Sequence, residues 1–301
     1  MVMNAYDESV WEKIKKDEEK TSKINSNEAL PRVGLNGVEP SFIVWGDSHA
    51  QALFPVIDEV AKEYGLGGYM TAIGGCPPLL GVDRTDINNY SFNVYKFNNE
   101  VINYIKKNKT IKYVYLIGFW EAYIGNIGYH NNSKIPENDK LKISIFKTAL
   151  NRTVDILTAT GCKVIIVTDV PNFSYDVIKD QYFRIVQRDY KQHISLKLVH
   201  YNKSNDKIND ILKSICQSKK ISLIKLDTML FDDSGNAITN INNKILYKDT
   251  NHLSRAGAMH LKPLFMPYFK EISLPLLIPA TSNTFSGQIR TLNIHHSVSK
   301  K

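Results

Sequence analysis

Cysteine is scarce in this chain, and long apolar runs are missing. The three cysteines, Cys76, Cys162 and Cys216, are odd in number, and no two are spaced as metal ligands, so no metal centre is expected. Cys216 follows Leu212 by four on the apolar face of a predicted helix, which gives it a buried structural role; a disulfide among the three stays open. No stretch approaches the roughly 20 apolar residues of a membrane span. The first residues also lack the basic-then-apolar pattern of an export signal. Blocks of like charge are missing too. Lys and Arg number 38 against 30 Asp and Glu, a formal charge of +8, but the lysines are scattered among Asn and Ile. Such a mild excess favours acidic glycans or an anionic membrane face as partners. No recognised nucleic-acid-binding motif accompanies it, and no nucleic-acid partner is expected.

What is present suits a folded enzyme. The 301 residues, 43% apolar and 23% charged, are enough for one or two domains with a substantial core. The chain is organised around residues 41–60. An apolar run at 42–45 reads as a short buried strand. Gly46-Asp47-Ser48-His49 breaks it. Leu53, Ile57, Val60, Ala61 and Tyr64 then recur at helical spacing, with Gly65 as a stop. Ser48 therefore sits where a strand ends and a helix begins. A hydroxyl there is exposed by the turn, and the free N–H groups of the first helical turn can face a developing oxyanion. Alone, the motif is matched evenly by a plainer reading in which Asp47 or Ser48 simply caps the helix.

A second stretch shifts the balance. Asp249 precedes His252 by three residues, a spacing that folds the carboxylate onto one imidazole nitrogen and leaves the other free as a general base. A serine hydroxyl needs such a base, and the base needs an orienting partner. Serine, aspartate and histidine in that chain order, one motif near each end, point to acyl chemistry.

These residues carry a resemblance. Gly46-Asp47-Ser48-His49 and Asp249-x-x-His252-Leu253-Ser254 resemble the first and last blocks of the SGNH (GDSL-like) hydrolase family. Ala50, the run Gly74-Gly75-Cys76-Pro77-Pro78-Leu79-Leu80-Gly81 and the terminal Gly257-Ala258 narrow it. Together they resemble the SGNH domain fused to multi-spanning acyltransferases that O-acetylate lipopolysaccharide O-antigen and related surface glycans. The resemblance covers about residues 41–269. It implies a flavodoxin-like strand order with the site beyond the carboxyl ends of the strands. It also implies a transient acyl-Ser48, a surface-glycan acceptor, and acetyl groups drawn from acetyl-CoA through a membrane acyltransferase partner. No bound cofactor is implied, and the site would face the periplasm. The export signal missing here stands against that compartment.

The same resemblance implies an oxyanion hole from the backbone N–H groups of Ser48 and Gly75; from spacing alone, Gly75 reads as a plain turn. The third family block usually carries an asparagine. Trp120 stands there instead, as it tends to in the acyltransferase-fused group, and its indole N–H is either a substitute donor or, by preference, packing at the pocket floor. Asp47, His49 and Trp120 are expected to line the substrate pocket. His193 and His200 lack an acidic partner spaced like Asp249.

Strand and helix patterns alternate: strands at 68–73, 112–118, 163–168 and 221–226, and helices carrying Val94 to Tyr104, Ile143 to Leu157, Ile208 to Ile215 and, from about Ser254, Leu261 to Tyr268. Residues 126–139 read as an irregular loop over the site and 172–200 as an insertion. The expected fold is a three-layer α/β sandwich, about five parallel strands with helices on both faces. Residues 1–40 read as linker or tail, 41–270 as the SGNH domain and 271–301 as a disordered tail. In the resembled proteins such a linker follows the last membrane helix, so the chain is expected to correspond to a detached or truncated soluble portion. Serine-based acetyl transfer is the expected function. A carbohydrate O-acetylesterase using the same residues and a catalytically silent glycan-binding domain are the alternatives.

Overall fold

A computed structural model describes residues 21, 24, 30–86, 92–130, 138–187 and 198–277, with only the backbone described at 183–187, 198–199, 202–206 and 275–277. In chain order the elements begin with β1 (Arg32–Gly34), β2 (Pro40–Gly46), α1 (Ser48–Glu63), β3 (Gly67–Ala72), β4 (Val82–Arg84), α2 (Val94–Lys107) and β5 (Tyr113–Ile117). The middle of the chain gives α3 (Trp120–Tyr123), β6 (Ile127–Tyr129), α4 (Asp139–Ala159), β7 (Lys163–Val167), α5 (Val177–Gln187), α6 (Leu198–Lys219) and β8 (Ser222–Ile224). It closes with α7 (Asp227–Leu230), β9 (Asn240–Ile241), β10 (Lys244–Ile245), α8 (Arg255–His260) and α9 (Lys262–Leu277).

The central sheet has six strands in the order β1-β3-β2-β5-β7-β8. Five are parallel, and β1 pairs antiparallel on β3 at one edge. Numbered among themselves, the parallel strands run 2-1-3-4-5, the flavodoxin-like order, and the chain reverses direction across the sheet beside β2. Side chains alternate between two cores, as the pleat dictates. Phe42, Val44, Tyr115 and Ile165 face α1, α8 and α9. Ile43, Trp45, Val114, Leu116 and Ile166 face α2, α4 and α6. A sheet covered on both faces explains why strands such as Lys163–Val167 read as unbroken apolar runs.

Several boundaries move. The segment read as linker enters the fold before residue 40, since Leu30 and Val33 are buried and β1 covers the open edge of β3. The last helix is two pieces: Ser254 caps α8, and α9 begins at Lys262 with Pro263 in its first turn, where a missing N–H is harmless. That helix runs on to Leu277, past the boundary set at 270; residues 278–301, with His295 and His296, lie outside the described residues. The stretch at 126–139 contains β6, which pairs antiparallel with β4 as a small ribbon beside the sheet's carboxyl end. The insertion at 172–200 contains α5. All three cysteines are free and buried. Among the described residues no helix is long and apolar enough to cross a membrane.

Candidate active site

The site begins with a glycine. An added Cβ at Gly46 would sit 2.0 Å from the Ile117 carbonyl oxygen and 2.7 Å from the Ala50 Cβ. Only glycine lets β2 end against β5 while α1 turns back over it. Asp47 follows, with extended backbone at the N-cap of α1. One carboxylate oxygen accepts from the His49 N–H at 2.8 Å. The other accepts from the Phe119 N–H at 2.8 Å and from the Tyr123 hydroxyl. Burial pushes the Asp47 carboxyl up, and these three donors oppose it. Ser48 is the first residue of α1.

The partner loop folds on itself. Asp249 Oδ1 accepts from the backbone N–H of Asn251 at 2.9 Å and of His252 at 2.7 Å. The Lys248 N–H returns to the His252 carbonyl at 2.9 Å. Ser254 caps α8 through Gly257 N–H and gives its own hydroxyl to the Ile245 carbonyl. An added Cβ at Gly257 would lie 2.0 Å from the Leu246 carbonyl oxygen, so this glycine seats the helix that carries the loop. From the side, Phe173 N–H donates to the Thr250 carbonyl at 2.8 Å.

The two halves meet. His252 Nε2 lies 2.8 Å from Ser48 Oγ, and His252 Nδ1 lies 2.8 Å from Asp249 Oδ2. The residues joined are 204 positions apart in the chain. Half-burial pushes the Asp249 carboxyl up, but the hydrogen bonds from His252 and Asn251 outweigh it and hold it at about 2. A carboxylate charged across the working range fixes one imidazole nitrogen as the protonated one and leaves Nε2 able to take the serine proton. The neighbouring His49 ring stacks on Phe119 at 4.7 Å and lies 4.7 Å from the His252 ring. Burial and the nearby His252 lower the His49 pKa well below its usual value, so this second imidazole stays neutral. Among the described residues, the backbone N–H groups of Ser48 and Gly75 find no acceptor. Gly75 has φ +70°, and it follows β3 just as Ser48 follows the adjacent β2.

A family model described as the SGNH domain (fused to AT3 domains) matches residues 16–267. The chain belongs to this SGNH family. No curated protein matches it. The periplasmic domain of the lipopolysaccharide acetyltransferase of Salmonella ser. Paratyphi A has the same fold: TM-score 0.55 at 19% identity, over 76% of this chain and 84% of that one. A protein assigned as an acylhydrolase from Bacteroides fragilis aligns at TM-score 0.49 and 15% identity, over 85% of this chain and 96% of its own. A GDSL-like lipase from Bacteroides thetaiotaomicron aligns at 0.44 and 13%, over 77% and 89%.

Within this SGNH domain, the residues expected to line the pocket do something else. Asp47, His49 and Trp120 are 1%, 5% and 0% exposed. Asp47 is a latch between the Ser48 turn and the loop after β5, and His49 is a spacer between Phe119 and His252. Trp120 donates its indole N–H to the Val167 carbonyl at 2.7 Å, so that donor is already used inside the protein. The rest of its loop is equally committed: Trp120 and Glu121 give their backbone N–H groups to Asp169, and Phe119 gives its own to Asp47. The third block is therefore a floor. Ser48 and Gly75 are left as the free amides among the residues expected to form the hole.

Asp169, Tyr123 and Phe119 were missed from the sequence. Asp169 carried a signal, as an acidic residue directly after a continuous buried strand; burial pushes its carboxyl well up, with its two amide donors opposing. Tyr123 and Phe119 carried none. His200 lies exposed in the first turn of α6, and His193 lies outside the described residues.

Proposed function

We propose that this SGNH domain transfers an acetyl group through Ser48 to hydroxyls of a cell-surface polysaccharide. The observation that carries the reading is the unbroken line from Ser48 Oγ through His252 to Asp249, with both links at 2.8 Å. His252 Nε2 takes the Ser48 proton as Oγ attacks the acyl carbonyl carbon. Asp249 steadies the imidazolium. The Ser48 and Gly75 N–H groups receive the oxyanion, each donor being worth roughly 3–4 kcal/mol. The imidazolium returns its proton to the leaving group as the acyl–leaving-group bond breaks, giving acyl-Ser48. A sugar hydroxyl, deprotonated by the same His252, then attacks the acyl carbonyl carbon; the acyl–Oγ bond breaks, and the imidazolium returns the proton to Ser48 Oγ. Membership of a family whose members are fused to AT3 domains supports a membrane acyltransferase as partner, drawing the group from acetyl-CoA. The fold shared with a periplasmic domain supports an extracytoplasmic site.

Ester hydrolysis by the same residues is the second reading. It is favoured by the exposure of the base, since the side chains of His252 and Asp249 are 22% and 39% exposed and water can reach them. The test is turnover of an activated acetyl ester by wild type and Ser48→Ala, with and without a surface oligosaccharide. Transfer predicts that turnover is lost in Ser48→Ala and that the oligosaccharide gains the mass of acetyl groups with wild type. Free acetate alone would select the esterase. Equal turnover in both proteins would sink the serine mechanism.

A further inference from the structure

We infer that Arg84 is a positioning residue for the oxyanion hole, holding the Gly75 segment whose N–H faces the reacting carbonyl. The inference rests on the acyl-transfer reading. Arg84 ends β4, in the ribbon that β4 and β6 form outside the central sheet. Its side chain is 11% exposed. The guanidinium uses its edges in two directions. Nη1 donates to the Gly75 carbonyl at 2.6 Å. Nε donates to Asp86 Oδ1 at 2.6 Å, and Nη2 to Asp86 Oδ2. Its Cζ lies 5.5 Å from the centre of the Tyr123 ring, and the Tyr123 hydroxyl donates to Asp47. One side chain thus links the Gly75 loop, the floor under it and the latch beside Ser48.

Gly75 needs such a tie. It has no side chain, its φ of +70° suits the most flexible residue, and its N–H finds no acceptor among the described residues. The neighbouring turn is fixed from both sides: Ile73 N–H donates to the Gly46 carbonyl at 3.2 Å and Cys76 N–H to the Ile73 carbonyl at 3.0 Å. Between these anchors, the Arg84–Gly75 bond holds the carbonyl of residue 75, the next peptide group after the one that carries its N–H, and so restrains the segment. A charge-assisted hydrogen bond from a planar, bidentately braced guanidinium is well suited to that task. Lysine offers a single flexible ammonium, without the planar fork, in its place.

The test compares wild type, Arg84→Met and Arg84→Lys. Methionine keeps apolar bulk over Tyr123 and removes the donors. One readout is the kcat and KM for an activated acetyl ester. The other is the rate of labelling by a fluorophosphonate, in which Ser48 Oγ bonds to phosphorus, fluoride leaves, the proton passes to His252, and the phosphoryl oxygen occupies the hole. Arg84→Met is expected to lower kcat and the labelling rate by roughly 10–100-fold, less than the roughly 10²–10³ of losing a donor outright, with KM changed by less than about threefold. Arg84→Lys is expected to recover part of both rates. Thermal unfolding corrects each rate for the folded fraction. Wild-type labelling at Ser48 with an equal rate per folded molecule in Arg84→Met would overturn this inference and leave the serine mechanism standing. No labelling of wild type at Ser48 would overturn both.

Discussion

Asp47 and Asp249 each stand beside one member of the hydroxyl–imidazole pair, and the protein treats them in opposite ways. Asp47 is 1% exposed and its three donors come from its own turn and from the loop after β5. Burial pushes its carboxyl up. Asp249 keeps 39% of its side chain exposed and accepts from two backbone amides and the His252 ring, which hold it at about 2. The first carboxylate joins pieces of structure. The second is a permanent charge in the right place to orient an imidazole. The comparison teaches that a conspicuous acidic residue in a motif can be a fastener, while the electrostatic task falls to a carboxylate left partly in water, where charge is cheap to keep.

The largest expected effect is that of Asp249→Asn. The amide preserves shape but removes the charge and the tautomer preference, so kcat should fall about 10⁴-fold with the fold intact, measured on an activated acetyl ester. The pH dependence of stability has a definite sign. The folded carboxyl lies below its ordinary value, so its stabilising contribution is full above about pH 4 and is lost as pH falls toward about 2. Denaturant midpoints of wild type and Asp249→Asn, followed from pH 6 downward, should therefore converge in that window. A wild-type advantage undiminished at the acid end would break the contrast with Asp47.

That contrast also marks what the sequence could reveal. The alternation of strand and helix, the two covered faces and the triad residues are legible because they rest on local signals: apolar periodicity, a glycine before an acidic cap, and a three-residue Asp–His spacing; the strand order came instead from the family resemblance. Gly46 and Gly257 stand out as motif letters, but their reason, a carbonyl oxygen 2.0 Å from any added Cβ, exists only in the packed structure. The supporting contacts are long-range and leave no local trace. Asp47 meets Tyr123 across 76 positions and Trp120 meets Asp169 across 49. The short strand Ile127–Tyr129 went unseen for the same reason, since its partner Val82–Arg84 lies far back in the chain and three residues give no period to read.

Asp47→Asn should have a smaller effect on catalysis and a clear one on stability. An asparagine presents one acceptor oxygen and one NH2 group, which cannot accept from the donors that the second carboxylate oxygen now serves. Each buried donor left unpaired costs about 1–3 kcal/mol, offset in part by removing a buried charge. The expected result is a lower urea midpoint with an unchanged slope, and a kcat per folded molecule that falls far less than in Asp249→Asn. If instead kcat fell as steeply with stability unchanged, Asp47 would belong with the electrostatic machinery, and the distinction between fastener and charge would fail.

Trp120→Phe sharpens the comparison at its quiet end. Trp120 occupies the position where the family usually has an oxyanion donor, yet its ring is fully buried, edge-on to Phe146 at 6.2 Å, and its N–H is spent on Val167. Phenylalanine keeps most of the apolar bulk, deletes that one hydrogen bond and leaves a small cavity, so stability should fall by about 1–3 kcal/mol. Because no donor is withdrawn from the reacting carbonyl, kcat per folded molecule should stay within about threefold of wild type, against the roughly 10²–10³ loss that follows removal of a true oxyanion donor. A fall of the latter size in a stably folded Trp120→Phe protein would mean that the indole leaves Val167 when substrate binds, and the floor would have to be redrawn as part of the hole.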